Sequence, residues 1–231
     1  MDTLISSPGT DADSPAGTLS ERVAQSIRQM VVRGELAPGQ RLSEASLAAT
    51  LQISRNSLRE AFRILTQEGL LEHAPNRGVF VSRPSLAAVI DIYRVRRLIE
   101  CVALEQAYAS HPAGARMRQA VESAQRSQAL DDWPAVGTAN MAFHQAIVAL
   151  ADSARLDRMF ALIQAELRLA FGMLNDPKFL HAPYAQMNLN ILELFEAGKM
   201  REAAEALDSY LHHAERIVLT AYTRQTPASA R

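Results

Sequence analysis

From position 19 to 33 the apolar side chains Val23, Ile27, Met30 and Val31 recur at three- and four-residue intervals, the spacing that lines one face of a helix. Gly34 ends this pattern, and Pro38-Gly39 makes the turn that follows. Ser43 is a suitable N-cap for a second helix running through Leu47 to Leu51. Only two or three residues later a third begins at Ser54, with Leu58, Phe62 and Leu65 on one face until Gly69. Between positions 70 and 81 the pattern changes to two short apolar stretches, Leu70-Leu71 and Val79-Phe80-Val81, around the turn-forming Pro75-Asn76-Arg77-Gly78, which predicts a small hairpin. Ser82-Arg83-Pro84-Ser85 reads as a linker. From Leu86 onward every segment has the helical period, with breaks at His111-Pro112, 131–134, Asp152-Ser153, 175–183 and Gly198. About six helices without strand-like alternation predict an all-helical bundle. The expected fold is mainly α, with a helix-and-hairpin unit at 18–83 and a bundle at 84–225. Residues 1–17, rich in Ser, Pro, Asp and Gly and lacking periodicity, read as a mobile tail.

Three short helices followed by a hairpin describe a winged helix-turn-helix, whose third helix enters the DNA major groove while the hairpin reaches along the backbone or minor groove. The third helix opens Ser54-Arg55-Asn56-Ser57-Leu58-Arg59. Its first turn therefore offers two hydroxyls, an amide and two guanidiniums, with Leu58 directed into the core. Arginine can bond O6 and N7 of guanine together, and Ser or Asn can bond a base edge or a phosphate at the positive helix end. Arg77 lies at the hairpin tip, and Gly78 lets backbone approach a sugar-phosphate chain. Charge supports this once it is divided. The 231 residues carry 24 basic and 25 acidic side chains, a net charge of -1. Residues 18–83 hold nine arginines against six glutamates, net +3, while 84–231 hold 15 basic and 16 acidic groups. The positive surplus sits in the expected DNA module.

Residues 27–82 resemble the DNA-binding domain of the GntR family of bacterial transcriptional regulators. The resemblance lies in Leu36-Ala37-Pro38-Gly39-Gln40-Arg41-Leu42-Ser43-Glu44, Leu47-Ala48, Ser54-Arg55, Leu58-Arg59-Glu60-Ala61, Glu68-Gly69-Leu70-Leu71 and Arg77-Gly78-Val79-Phe80-Val81. Two departures stand out. Gln52 replaces the usual turn glycine, and Ser57-Leu58 stands where the family often has Pro-Val; neither removes an arginine. By this resemblance Ser54, Arg55, Asn56, Ser57, Arg59, Arg77 and Gly78 are the positions expected at DNA. Such modules bind better as dimers on two half-sites. The expected function is thus a DNA-binding transcriptional regulator, a homodimer on an inverted repeat of double-stranded DNA and more commonly a repressor, responsive to a small molecule in the bundle.

The bundle resembles the FCD effector domain of the FadR branch, nearer its shorter six-helix VanR type. Tyr93-Arg94-Val95-Arg96-Arg97-Leu98-Ile99-Glu100 is similar to that domain's opening helix, and Ala142-Phe143-His144 to its central one. Many such domains hold a divalent metal with one Asp and three His, and the metal helps to bind a carboxylate effector. Here the resemblance places Asn140, His144, Asn188 and Tyr210 at those positions, and one imidazole, two amides and a phenol are poor ligands for Zn²⁺ or Ni²⁺. No metal cofactor is expected.

Independently of any family, Asn140 and His144 are i,i+4 partners on an apolar face, Asn188 sits above Ile191, Leu192 and Phe195, and Tyr210 lies between Leu207, Ala214 and Ile217. These polar groups either line an effector cavity or satisfy one another, or a trapped water, in a dry core. Arg96 is the candidate anchor for a carboxylate effector; its plainer reading is a surface pair with Glu100. His73, His111, His181, His212 and His213 fit solvated or turn positions. No apolar run reaches the roughly 18 residues of a membrane span, and the N-terminus lacks the basic and apolar regions of a signal peptide, so a cytoplasmic protein is expected. Cys101, the single cysteine, reads as a small buried thiol. Two other readings remain: a constitutive DNA-binding dimer with a vestigial bundle, and an enzyme using His144. The second lacks a nucleophile elbow, phosphate loop or acid pair.

Overall fold

The computed structural model describes residues 18–174 and 176–225. The tail assigned to 1–17 lies outside them. The order is α1 (Leu19–Val32), β1 (Arg41–Leu42), α2 (Glu44–Thr50), α3 (Arg55–Gln67), β2 (Leu71–Ala74) and β3 (Gly78–Val81). The bundle then contains α4 (Leu86–Arg96), a π turn (Arg97–Cys101), α5 (Val102–Glu105), α6 (Ala113–Ala129), α7 (Trp133–Val148), α8 (Ala154–Gly172), α9 (Pro177–Glu196) and α10 (Met200–Gln225).

Local chemistry starts these helices. Thr18 and Glu21 form a reciprocal capping box on α1, and the hydroxyls of Ser43, Ser54, Ser85 and Ser153 accept backbone N–H bonds at the starts of α2, α3, α4 and α8. Val23, Ile27 and Val31 of α1 pack against Leu58, Phe62 and Leu65 of α3 in one core. A bidentate Arg28–Glu68 pair at 2.7–2.8 Å ties α1 to the end of α3. The wing has three strands rather than two. β1 pairs antiparallel with β3, Arg41 opposite Phe80, in the order β1-β3-β2. Two residues are too few to show a period in sequence; β1 exists because β3 offers it partners.

α4, the π turn and α5 run on as one rod, so the bundle is six helices with the expected breaks except one. The break assigned to 175–183 is shorter. α9 begins at Pro177, capped by the carboxylate of Asp176, and holds Pro183 inside it. Pro183 is exposed, while Leu180, His181 and Tyr184 are buried, and their packing overrides the proline penalty. α8 also reaches the N-terminal unit: Ala165 and Leu169 belong to its core.

Gln52, in the α2–α3 turn, has φ 54°, the left-handed conformation that a glycine would adopt freely. Gln52→Gly should therefore stabilise the protein by about 1 kcal/mol, measured by urea unfolding; an unchanged or lower midpoint would count against strain at this turn.

Candidate nucleic-acid interface and effector site

The N-terminus of α3 is an exposed polar platform. The Ser54 hydroxyl accepts from the Ser57 backbone N–H at 3.1 Å and lies 2.9 Å from the Ser57 hydroxyl. Arg55, Asn56 and Arg59 project into solvent, whereas Leu58 and Phe62 are buried beneath them. Arg59 Nε donates to Glu44 on α2 at 2.9 Å, which leaves its two terminal nitrogens free of that bond. At the wing tip Asn76 has φ 60° and Gly78 φ 104°, so the chain reverses within a tight loop. Exposed Arg77 stands 5.8 Å from the Phe80 ring. Arg41, on β1, lies beside Gly78: a Cβ added there would sit 3.5 Å from its guanidinium. Arg41 is not among the positions expected at DNA, because its place at the wing depends on the β1–β3 pairing.

In the bundle, α4 and its π turn, α7, α9 and α10 bring Arg96, Asn140, His144, Asn188 and Tyr210 into one buried cluster. Arg96 and Glu100 do form the pair suggested by their spacing, but inside the protein rather than at its surface. Arg96 is 3% and Glu100 0% exposed. Arg96 Nε donates to Glu100 Oε1 at 2.7 Å, and His144 Nδ1 lies 2.5 Å from Glu100 Oε2. Leu98 and Val102 of the same rod, 69% and 45% exposed, face outward instead. Apolar residues outside and an ion pair inside reverse the usual order, which is why the pattern hid Glu100. The π turn, which adds residues to a helical turn, carries Glu100 inward.

Burial opposes ionisation of Glu100, yet Arg96 and His144 together hold its carboxyl below the usual carboxylate range. Burial also lowers the His144 imidazole, and together with the nearby Arg96 charge it outweighs Glu100, which raises it. A neutral imidazole facing a carboxylate keeps its proton on Nδ1, so Nε2 presents a lone pair. In the second arm of the cluster, Asn140 Oδ1 accepts from Asn188 Nδ2 at 2.6 Å and from the Tyr210 hydroxyl at 3.1 Å. The His144 and Tyr210 rings meet at 4.9 Å. In and beside this cluster, His144 Nε2, Asn188 Oδ1 and the Tyr184 hydroxyl have no hydrogen-bond partner among the described residues. The adjoining cavity, walled by Tyr93, Arg96, Tyr184 and Tyr210, measures about 10 Å³, enough for a single water.

The family described as "Bacterial regulatory proteins, gntR family" matches residues 19–81, and the FCD domain matches residues 91–213. The chain belongs to the GntR family. An HTH-type transcriptional regulator in an unstable DNA locus of Streptomyces ambofaciens is 46% identical over 79 residues, 34% of each chain. The HTH-type transcriptional repressor RspR of Escherichia coli K12 is 32% identical over 94 residues, 41% of each. The chain thus spans well under half the length of these two relatives. A GntR-type structure from Rhodococcus sp. RHA1 superposes with a TM-score of 0.82 at 36% identity, covering 88% of this chain and 98% of that one. Members of the GntR family and the relatives named here are DNA-binding transcriptional regulators rather than enzymes.

The metal implied by many FCD domains can be tested against these residues. His144 is oriented as a metal-binding histidine often is, Nδ1 on a carboxylate and Nε2 free. The remaining donors do not fit: Asn140 and Asn188 bond each other, Tyr210 is a protonated phenol whose hydroxyl burial holds well above its ordinary value, and no three His, Cys, Asp or Glu side chains converge among the described residues. Of the other histidines, His181 is buried in α9 rather than solvated. His111 lies in the turn before α6 but is buried too, where its Nδ1 accepts from the Ala113 backbone N–H. Cys101 is half-buried, and burial pushes its thiol up to about 12, out of the reactive range. No helix of the described residues is long and apolar enough to cross a membrane.

Proposed function

We propose that this GntR-family regulator is a cytoplasmic homodimer that reads an inverted-repeat operator as a repressor, and that a small carboxylate metabolite entering the FCD bundle alters its operator affinity. The observation that carries the DNA reading is the platform of exposed Ser54, Arg55, Asn56 and Arg59 with half-buried Ser57 at the positive end of α3, flanked by Arg77 and Gly78 at the wing. The name of RspR supports repression. Exposed Leu98 and Val102, one helical turn apart, are an apolar surface that a second copy would cover.

Arg96 would hold the effector carboxylate, with Asn140, His144, Asn188 and Tyr210 reading its polar groups. A cavity of about 10 Å³ means that Tyr184 and Tyr210 must move for anything larger than water to enter. The effector must also bind one arrangement of the two DNA heads better than the other, since equal affinity shifts nothing. That closed cavity, with Asn140, Asn188 and Tyr210 bonded to one another, favours a second reading: a constitutive DNA-binding dimer whose bundle reads no ligand.

Selection from randomised duplexes, combined with sedimentation of the selected complex, tests the main reading. A two-fold symmetric site carrying two chains is expected. A selected site without symmetry, or one chain per site, would overturn the dimeric operator reading.

A further inference from the structure

Among the described residues, Arg168 of α8 is a cation without a counterion. It is about half buried, and no salt bridge or side-chain hydrogen bond reaches it among the described residues. Burial alone pulls its guanidinium down from the ordinary value, with no carboxylate close enough to act on it. Arg96 differs, because its charge is already matched by Glu100 at 2.7 Å. The Arg168 fork lies against the DNA-binding head at the end of α1, where a Cβ added to Gly34 would meet its Nη2 at 2.8 Å.

Beside it is a cavity of about 270 Å³ in the seam between head and bundle. Gly34, Leu36 and Pro38 line it from the head, and Arg168, Phe171 and His181 from the bundle. His181 is 4% exposed, makes no side-chain hydrogen bond among the described residues, and packs edge-on to Phe171 at 5.4 Å. Burial first and Arg168 second push its imidazole down to about 4. The half-buried Arg168 guanidinium makes this cavity positive, and the His181 imidazole, neutral at ordinary pH with its Nε2 edge against Gly137, lines it as a polar group. Such a pocket is stabilised by an anion that takes both hydrogen-bonding groups.

We propose that this seam cavity binds a small oxyanion, a carboxylate or a phosphate, held by the Arg168 guanidinium with His181 as a second hydrogen-bonding group. This anion site is additional to the effector site proposed at Arg96 and does not depend on a ligand binding there. Its location is consequential, because α8 also puts Ala165 and Leu169 into the head's core. An anion here touches the DNA-binding head and the bundle together.

The test uses the full chain with potassium acetate, pyruvate, citrate or phosphate, against potassium chloride at equal ionic strength, read by thermal denaturation and titration calorimetry. At least one probe should raise the Tm above the chloride control; stabilisation by phosphate but no carboxylate, or the reverse, assigns the anion. Binding should weaken about tenfold or more in Arg168→Gln and by an intermediate amount in Arg168→Lys, as expected for loss of a charge-assisted fork. Arg168→Gln leaves no buried charge uncompensated, and its melting curve without anion checks that it is folded. Stabilisation by none of the four probes, or undiminished binding in Arg168→Gln, overturns the proposal. Binding that survives Arg168→Gln and is lost in the double variant Arg96→Met with Glu100→Gln places the anion at the bundle cluster, which would sustain the proposed effector site while removing this one.

Discussion

Glu100→Ala should destabilise the protein by about 3–5 kcal/mol, because it leaves the Arg96 guanidinium buried without its carboxylate and His144 Nδ1 without its acceptor. Against a total stability of about 5–15 kcal/mol for an ordinary domain, that loss would bring the bundle close to unfolding. Urea denaturation followed by circular dichroism measures it. The double variant Arg96→Met with Glu100→Gln should recover much of the loss, since no lone charge stays behind and the Gln amide oxygen still accepts from His144. A Glu100→Ala protein within about 1 kcal/mol of wild type would show that the buried pair is not what holds α4 and α7 together.

The same groups make stability depend on pH. His144 and His181 have folded values below the ordinary 6.5, so as pH falls through that value the unfolded chain takes up protons that the folded chain refuses. Glu100, held below its ordinary 4.5, adds the same sign at lower pH. Stability should therefore be level between about pH 6.5 and 8 and decline on acidification, by up to about 1.4 kcal/mol per pH unit for each group. His181→Gln should flatten the part of the decline between 6.5 and about 4.

At the DNA surface, Arg55→Ala or Arg59→Ala should each cost about 1–3 kcal/mol of discrimination between the selected operator and random duplex, roughly 5- to 150-fold. The Glu44–Arg59 bond does not prevent this role. Both side chains are exposed, and such surface pairs contribute about 0–1 kcal/mol, less than a good bidentate base contact. With Nε held by Glu44, the terminal nitrogens of Arg59 are the ones left to meet O6 and N7 of guanine. Competition binding at fixed salt measures the effect, and full operator preference in both variants would sink the recognition-helix assignment. Arg77→Ala provides the contrast. A wing contact to phosphate predicts weaker binding to every sequence and a salt slope reduced by about one.

Much of this was legible from local signals. The serines at 43 and 54 that should start helices do cap them, and Gly34, Gly69 and Gly198 adopt φ between 74° and 76° at helix ends. The Gln52 departure from the family turn glycine proved to be a residue at positive φ, so the motif's preference has a steric cause. The break expected around Pro183 does not form because burial of Leu180, His181 and Tyr184 outweighs a proline's local penalty, which is all the sequence pattern expresses. Glu100 stands one helical turn after Arg96, a spacing that usually marks a surface pair, so its burial does not show in the local pattern.

By itself, then, the sequence determined which segments are helices, where all but α9 start, and that a basic reader precedes a helical bundle. Those properties are set within a turn or two of chain, by caps, breakers and apolar spacing. Tertiary structure alone decided that β1 exists, that α8 lends Leu169 to the head's core, and that Arg168 and His181 face one seam cavity. It also turned Glu100 inward to His144, 44 residues away, and joined Asn140 to Tyr210, 70 residues away. The direction a side chain takes within a helix, and the charge it keeps there, depend on partners that only the folded chain brings within hydrogen-bond distance.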